Sequence, residues 1–317
     1  MATPFPRLTA PQFASPSLAP QALIRAGKPS FTTGTLSEII FGKINRNILT
    51  NKPIYGKSNK GVFMKNLINW KIFFILLVAC VISSMLLLPY LQELTSSETL
   101  FTTVALISRV VENLIMYAVA IFLGLFFAKK IGMGLPFLSS ALEGKSQTKE
   151  FKFILPPSIC LGALVSISIV LASIPFNKVI PELQLLESTI PVWKAFLASF
   201  YGGIAEEVLL RLFVLSLFIW ITFIIKKTDD GLPTNFGIWL SIVLSAVLFG
   251  IGHLPSTSQI VPITGIVIFR EILLNGIGGI TFGWLYWRKG FESAIIAHFT
   301  ADIVLHIIAP FVIPLFK

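Results

Sequence analysis

Two adjacent carboxylates and a guanidinium lie inside a long apolar stretch of the chain. Glu206, Glu207 and Arg211 belong to a run from about Ile190 to Ile225, whose length and composition are typical of a membrane-crossing helix. A charged side chain at the middle of such a helix costs about 2.5–3.5 kcal/mol on insertion scales. These groups must therefore be paired or reached by water.

The spacing of the three residues indicates how they are paired. Glu207 and Arg211 are four residues apart, so they share a helix face and can form an ion pair. Glu206 points about 100° away from Glu207, which leaves its carboxylate available for other chemistry. An ion cluster that only packs helices together is the alternative interpretation. We favour a functional site, because ionisable residues within membrane spans usually mark a polar cavity.

The three histidines all follow residue 250. His253 ends the segment Phe249-x-x-x-His253, and His298 is followed by Asp302 four residues later. Asp302 can therefore orient the His298 ring and fix its tautomer. A single histidine in an apolar helix is usually a packing residue, whereas two on different spans with spare carboxylates can activate water. We interpret His306, two turns after His298, as a core or lining residue.

Other hydrolytic schemes fit the sequence less well. The chain contains no His-Glu-x-x-His zinc helix and no Gly-x-Ser-x-Gly nucleophile elbow. No span holds the Gly-Ser/His arrangement of serine intramembrane proteases or two aspartates placed as a dyad. Cys80 and Cys160 both lie in apolar runs, so they predict neither a disulfide framework nor a metal site.

Composition and hydropathy predict the elements that must position these residues. Hydrophobic residues make up 55% of the 317 and charged residues 13%, which is typical of a polytopic membrane protein. We predict an all-α transmembrane bundle of about seven or eight helices. The apolar runs lie at about Ile72–Leu91, Leu100–Ala128, Phe153–Ile174, Ile190–Ile225, Phe236–Leu254, Ile260–Trp287 and Phe291–Phe316.

The fourth run is too long for one straight crossing. Its 36 residues would form a helix of about 54 Å, whereas the apolar core of a bilayer is about 30 Å thick. We therefore expect a break or a surface-lying portion near Gly202-Gly203, directly before the two glutamates. In the sixth run, four glycines are expected to allow close helix contact: Gly276, Gly278, Gly279 and Gly283.

The charge distribution predicts a three-part organisation. Residues 1–66 carry nine Lys or Arg and the single acid Glu38, and we interpret them as a flexible basic tail. This tail is either a targeting segment or a misassigned start upstream of Met64. Residues 67–189 are predicted to form N-terminal transmembrane helices, and residues 190–316 the helical core that carries the site. Basic pairs at 129–130, 226–227 and 288–289 would lie with the tail on the cytoplasmic side, so the net charge of +10 needs no nucleic-acid partner.

Three motifs in this order resemble those of a known family. Glu206-Glu207-x-x-x-Arg211, Phe249-x-x-x-His253 and His298-x-x-x-Asp302 are similar to the motifs of the CPBP family (CAAX protease and bacteriocin-processing, or Abi, proteins). Its eukaryotic branch is the type 2 CAAX prenyl endopeptidase. The resemblance covers roughly residues 190–316. It implies a helical bundle with a water-filled conical cavity, and an intramembrane endopeptidase acting on a membrane-associated peptide or protein.

The resemblance also implies a role for each motif residue. Glu206, with His253, would deprotonate the attacking water, and His298 and Asp302 would stabilise the tetrahedral oxyanion. Glu207 and Arg211 would support the site. Members of the family are often described as metalloproteases, and two histidines with a glutamate (Glu206, His253 and His298) could bind zinc. The same residues serve a metal-free mechanism, which we favour.

The chain departs from the prenyl endopeptidase branch at one position. Asp302 stands where that branch usually has asparagine, and an ionised aspartate cannot donate a hydrogen bond to an oxyanion. Asp302 must then be protonated or act by orienting His298. The departure favours the broader, prokaryote-like branch. We therefore expect an integral, multi-pass protein of a prokaryotic cell membrane rather than of an organelle membrane.

Two other functions are compatible with a membrane bundle. A non-catalytic regulator, or a bacteriocin-immunity-type protein of the same fold, would not require two histidines and a spare carboxylate. A proton-coupled transporter could use Glu206 and the histidines as a relay, but the two halves of the chain show no inverted repeat. The motif set therefore favours the protease.

Overall fold

Apolar helices make up most of the described chain. The computed structural model describes residues 68–95, 98–183 and 189–312, and the predicted tail at 1–66 lies outside the described residues. Within these residues, seven segments are long and apolar enough to cross a membrane, counting α1 with α2, which confirms the predicted all-α bundle. The helices are α1 Trp70–Leu86, α2 Leu88–Thr95, α3 Thr103–Lys130, α4 Pro136–Leu142, α5 Thr148–Asn177, α6 Val192–Ile225, α7 Asn235–Thr257, α8 Gly265–Lys289 and α9 Phe291–Phe311.

Short polar side chains mark where several helices begin. The Asn69 side chain accepts hydrogen bonds from two backbone N–H groups in the first turn of α1. The Thr102 side chain accepts a hydrogen bond from one backbone N–H in the first turn of α3, and the Thr234 side chain accepts one in the first turn of α7. Such caps satisfy donors that have no partner within the helix. Gly290, at a φ of +100°, separates α8 from α9 in a conformation that favours glycine.

Helix α6 does not break at the glycine pair, contrary to the expectation from its length. It continues from Val192 to Ile225, but its middle is wound as π-helix at Tyr201–Glu206 and again at Val208–Leu215. The glycines make room for α9 instead, since a Cβ atom on Gly203 would lie 3.0 Å from Phe299 Cβ. Tilting, or extension into the headgroup layer, accommodates the extra length of such a helix.

Helices from both parts of the chain share one apolar core. Buried side chains of α1, α3, α6, α7, α8 and α9 form a single cluster, which includes Leu212, Ile242, Phe282 and Ala297. The first described helices are therefore packed directly against the segment that carries the motifs. A change in α1 or α3 can reach the motif residues through this core.

Two of the four glycines that were predicted to allow close contact in α8 do so. A Cβ atom on Gly279 would lie 2.7 Å from Ala246 Cβ, and one on Gly283 would lie 3.3 Å from Ile242 Cγ2. Both contacts are with α7, so this pair of helices approaches closely where the glycines are. Gly276 and Gly278 do not serve this purpose, because an added Cβ would meet nothing within 4 Å at Gly276 and only Phe282 of the same helix at Gly278.

The outer surface of the described bundle is apolar. Between 22% and 44% of the most apolar window of each span is buried inside the protein, so most of these side chains face outward and require lipid. With seven alternating crossings, the basic pairs 129–130, 226–227 and 288–289 lie at the same end of the bundle. The chain is an integral, multi-pass membrane protein.

Candidate active site

Glu207 is the buried centre of the site. Its side chain is 0% exposed, and its Oε1 lies 3.1 Å from Arg211 Nη1 and 2.7 Å from His298 Nδ1. The ion pair that the four-residue spacing predicts is therefore present. Because one carboxylate binds both a guanidinium on α6 and an imidazole on α9, it ties these two helices together inside the bundle.

The Glu207 carboxylate and two aromatic rings stabilise the Arg211 guanidinium. Among the described residues, neither Nη atom has an aligned hydrogen-bond acceptor. The Arg211 Cζ lies 4.7 Å from the ring centroid of Phe249 and 5.3 Å from that of Phe282, which are cation–π distances. Loss of the Glu207 charge would therefore leave a buried cation between two apolar rings.

The His298 ring contacts Glu207 through Nδ1, whereas Asp302, which the spacing predicts to orient the ring, faces the other ring nitrogen. Nδ1–H donates to Glu207 Oε1 at 2.7 Å, whereas Asp302 Oδ1 faces the other nitrogen, Nε2, at 3.6 Å. The four-residue spacing places Asp302 on the correct face of α9, but the ring turns toward the more deeply buried carboxylate on α6. The sequence motif could not reveal this contact, because it depends on how α6 and α9 pack.

Two carboxylates lie on the open side of His298. Glu206 Oε2 is 3.7 Å from Nε2, and Asp302 Oδ1 is 3.6 Å from the same atom. Their side chains are 19% and 15% exposed, against 0% for Glu207. The site thus has a dry side, which holds the ring, and a side where water and a substrate can reach Nε2.

An aromatic wall encloses the ring of His298. Phe282 stacks on it, with ring centroids 4.6 Å apart and an interplanar angle of 21°, and Phe249 meets its edge at 5.7 Å. Phe249 belongs to the second sequence motif, but the analysis of the sequence missed Phe282. No spacing rule identifies Phe282, since it is one of several aromatic residues in α8 and its role arises only from the packing of α8 on α9.

His253 lies one turn beyond Phe249 on α7. Its Nδ1 is 2.8 Å from the Phe249 carbonyl oxygen, so this nitrogen donates and Nε2 is left as an acceptor. The Phe249 ring contacts both histidine rings, at 4.8 Å for His253 and 5.7 Å for His298. His253 also interacts electrostatically with Asp302. The second motif therefore borders the site, beside the group formed by Glu206, His298 and Asp302.

Two further positions were identified from the sequence. His306 interacts electrostatically with Asp302 and lies edge-on to Tyr90, with ring centroids 6.4 Å apart. It therefore lines the bundle beyond the site, and a core or lining residue is what the sequence predicts at this position. Gly202 faces the site itself. A Cβ atom there would collide with Asp302 Oδ2 and lie 3.2 Å from His298 Nε2.

The three possible zinc ligands, Glu206, His253 and His298, do not form a three-donor cluster in the described part of the chain. In the part of the chain that the structure describes, no three His, Cys, Asp or Glu side chains are disposed to hold a metal ion. Glu206 and His298 approach each other, but His253 lies beside Phe249 rather than completing a triad with them. The arrangement of donors among the described residues thus does not fit a bound zinc ion.

An apolar, open-sided cavity of about 540 Å³ adjoins the site and is lined by α5, α6 and α9. Its wall includes Gly203 and Phe299, which follow Gly202 and His298 in the chain, together with Ile159, Phe200, Ile295 and Ile303. The cavity therefore lies behind the two helices that carry Glu206 and His298. It is large enough for an extended apolar chain.

Comparison with known protein families gives a match over the segment that carries the three motifs. Residues 188–304 match the model of the family described as Rce1-like, type II CAAX prenyl endopeptidase Rce1-like, which confirms the resemblance predicted from the three motifs. The matched segment includes Glu206, His253, His298 and Asp302. At the level of the family, this match supports a protease that acts in a membrane. Searches of curated proteins and of solved structures give no match.

Proposed function

We propose that this chain, whose residues 188–304 are of the Rce1-like CAAX protease type, is an intramembrane endopeptidase. Its substrate would be a membrane-associated peptide or protein, including those with a prenylated CAAX-type terminus. One observation carries the proposal: Glu206 and Asp302 both face His298 Nε2, at 3.7 and 3.6 Å, while Glu207 anchors the opposite ring nitrogen. A packing cluster alone would not need a second and a third carboxylate on the open side.

The first step is the activation of water by Glu206. A water molecule beside the carboxylate can donate one hydrogen to Glu206 and the other to His253 Nε2, which is an acceptor because Nδ1–H is bonded to the Phe249 carbonyl. Glu206 takes the proton as the oxygen attacks the carbonyl carbon of the peptide. The protonated Glu206 then returns the proton to the leaving amine, and the products are a carboxylic acid and an amine.

The second part of the mechanism is stabilisation of the oxyanion by His298. With Nδ1–H donated to Glu207, only a protonated ring can donate from Nε2. Three carboxylates around one ring compensate its positive charge. Asp302 would serve in this compensation, which explains how an acid replaces the amide expected from the resemblance. A donor at this position is typically worth about 10²–10³ in rate.

The bilayer and the apolar cavity would deliver the substrate. The cavity behind α6 and α9 adjoins the residues that face the site, so an apolar anchor lying there would hold the attached peptide near His298. The partners of the protein would then be the lipid bilayer and a membrane-associated substrate. Asp302 in place of asparagine favours the prokaryote-like branch, and with it a prokaryotic cell membrane.

Cleavage of a labelled CAAX-type peptide by the purified protein in lipid nanodiscs tests the proposal. The Glu206→Gln variant should lose at least about 100-fold in rate, because a general base typically contributes about 10²–10⁴. Glu112→Gln is the matched control, since Glu112 is an exposed glutamate on α3 and its loss should leave the rate unchanged. Equal, measurable rates for wild type and Glu206→Gln would refute the mechanism, whereas the absence of cleavage by folded wild-type protein would favour a non-catalytic regulator.

A further inference from the structure

A buried lysine lies at the end of the bundle that carries the basic pairs. Lys289, the last residue of α8, is only 3% exposed, whereas Lys226 and Lys227, which directly follow α6, are exposed. The Lys289 Nζ lies 5.5 Å from the ring centroid of Phe153 on α5, which is a cation–π distance. The lysine side chain is therefore directed toward the cleft between α8 and α5.

No carboxylate among the described residues balances the charge of Lys289. Its ammonium group forms an ion pair with none of them. Glu292, three residues later, is engaged elsewhere, because its Oε1 accepts from the backbone N–H groups of Phe137 and Leu138 at 3.0 and 2.8 Å. A buried cation without an anion is unfavourable, so an anion from outside the chain would stabilise this lysine.

The start of α5 supplies further positive groups beside the same cleft. Lys149 lies one helical turn before both Lys152 and Phe153, so the two lysines flank the ring that Lys289 contacts. The acid of this turn, Glu150, is exposed and leaves the turn net positive. Because Gln147 makes no side-chain cap, the first backbone N–H groups of α5 also lack a side-chain acceptor at the helix end.

Tryptophan side chains place this cluster at the level of the lipid headgroups. Trp287 precedes Lys289 by two residues, and its ring meets the Trp239 ring of α7 edge-on, with centroids 6.1 Å apart. Tryptophan is enriched where a membrane protein passes from the hydrocarbon core to the headgroups. The Arg288 Cζ lies 4.0 Å over the Trp287 ring, so this neighbouring cation already has a partner. The anions that meet a cleft between two spans at this depth are the phosphates of lipids.

We propose that Lys289, together with Lys149, Lys152 and the N-terminus of α5, binds the headgroup phosphate of an anionic phospholipid. The phosphate oxygens would accept hydrogen bonds from the lysine ammonium groups and from the first N–H groups of the helix. The acyl chains would lie along the face of α5 that continues from Phe153, where Leu164 and Leu171 are 51% and 61% exposed. This site is independent of peptide cleavage.

The bundle offers a matched control for this proposal. Lys227 follows α6 at the same end of the bundle, and its Nζ lies 5.1 Å from the ring centroid of Phe223. Lys227 and Lys289 thus each lie over a phenylalanine ring, but Lys227 is exposed and Lys289 is buried. A change from lysine to methionine removes one charge from either place and keeps an unbranched apolar side chain.

Lipid binding by the full-length protein in neutral detergent provides the first test. Native mass spectrometry compares the affinity for phosphatidylglycerol, which is anionic, with that for phosphatidylcholine. Lys289→Met should lower the affinity for phosphatidylglycerol by at least about fivefold, the contribution of one cation at a bilayer surface. Lys289→Arg and Lys227→Met should stay within about twofold of the wild type. The basic residues at 1–66 are present in every variant and contribute equally to each.

Two results of this test would overturn the proposal. One is equal affinity of the wild type for the two lipids, and the other is an equal loss in Lys289→Met and Lys227→Met, which would indicate only the general attraction of a basic surface. If Lys289→Met does not fold, the exposed pair Lys149→Gln and Lys152→Gln tests the same site and should lower the affinity in the same way.

Thermal unfolding in lipid nanodiscs separates binding from a purely structural role. Replacing phosphatidylcholine by phosphatidylglycerol should raise the unfolding temperature of the wild type by about 2–4 °C more than that of Lys289→Met. In phosphatidylcholine alone, Lys289→Met should unfold at the same or a higher temperature than the wild type, because it removes a buried unpaired charge. Equal destabilisation of Lys289→Met in both lipids would make Lys289 a structural residue only. An equal gain from inorganic phosphate in phosphatidylcholine nanodiscs would contradict the assignment to a lipid.

Discussion

At the scale of single residues, two neighbouring glutamates have opposite surroundings. Glu207 is fully buried and bonded to Arg211 and His298, whereas Glu206 is 19% exposed and faces His298 Nε2. The four-residue rule predicts the Glu207–Arg211 pair because both partners lie on one helix. The bond from His298 to Glu207 joins residues 91 positions apart, and no local pattern in the sequence encodes it.

Because their surroundings differ, we predict that changing each glutamate to glutamine has a different effect on stability and on activity. Glu207→Gln should destabilise the protein by about 3–5 kcal/mol, because it leaves the buried Arg211 cation without its anion. Glu206→Gln should abolish cleavage and change stability little, since its carboxylate lies on the open side. Thermal unfolding of both variants in the same detergent measures the difference. Equal unfolding temperatures would contradict the assignment of Glu207 as the buried anchor.

The ligand chemistry of the same residues predicts the effect of chelators. Because the donors around Glu206, His253 and His298 do not form a metal site in the described part of the chain, we expect peptide cleavage to continue after treatment with a strong zinc chelator. Activity is compared before and after dialysis against chelator, and again after zinc is added back. Loss of activity that zinc restores would mean that the metal-free mechanism is wrong.

At the scale of elements, the shape of α6 and its packing on α9 assemble the site. Hydropathy predicts all seven spans, because the length of an apolar run is a local property of the sequence. It does not predict the π-helical middle of α6, since no residue pattern distinguishes that winding from an α-helix. Gly202-Gly203 indicated a special position correctly, but the glycines allow close approach of α9 rather than a break.

Because α6 approaches α9 closely at Gly202, we predict that this position tolerates no side chain. Gly202→Ala should reduce cleavage by at least about tenfold, because its Cβ would displace Asp302 and crowd His298 Nε2. Gly265→Ala, at a position where an added Cβ meets nothing within 4 Å, is the control and should keep wild-type activity. The rates are compared at equal amounts of folded protein. Full activity of Gly202→Ala would show that α6 and α9 do not meet as described.

At the scale of the whole molecule, the bundle encloses charged side chains behind an apolar outer surface. Its outer side chains require lipid, and its basic pairs lie at one end. By the positive-inside rule we expect that end to be cytoplasmic. We expect the candidate site to lie within the depth of the membrane, since Glu206, Phe249 and His298 belong to three different spans. Composition predicts this architecture well, but it does not predict which buried faces meet.

The topology predicts which introduced cysteines react from the same side. In a chain without Cys80 and Cys160, Ser146→Cys and Asp229→Cys should be labelled from one face of the membrane by an impermeant maleimide. Ser258→Cys, which follows one further crossing, should be labelled from the other face. Labelling of Asp229→Cys and Ser258→Cys from the same side would contradict the seven alternating crossings.

The origin of the oxygen in the product tests the central claim most directly. The wild-type protein in nanodiscs is given a membrane-anchored peptide in water enriched in heavy oxygen, and the fragments are weighed by mass spectrometry. We expect one heavy oxygen atom in the new carboxyl terminus of the N-terminal fragment, and no fragment with Glu206→Gln. An intact peptide with folded wild-type protein, or equal labelling with Glu206→Gln, would contradict water activation by Glu206 within the membrane.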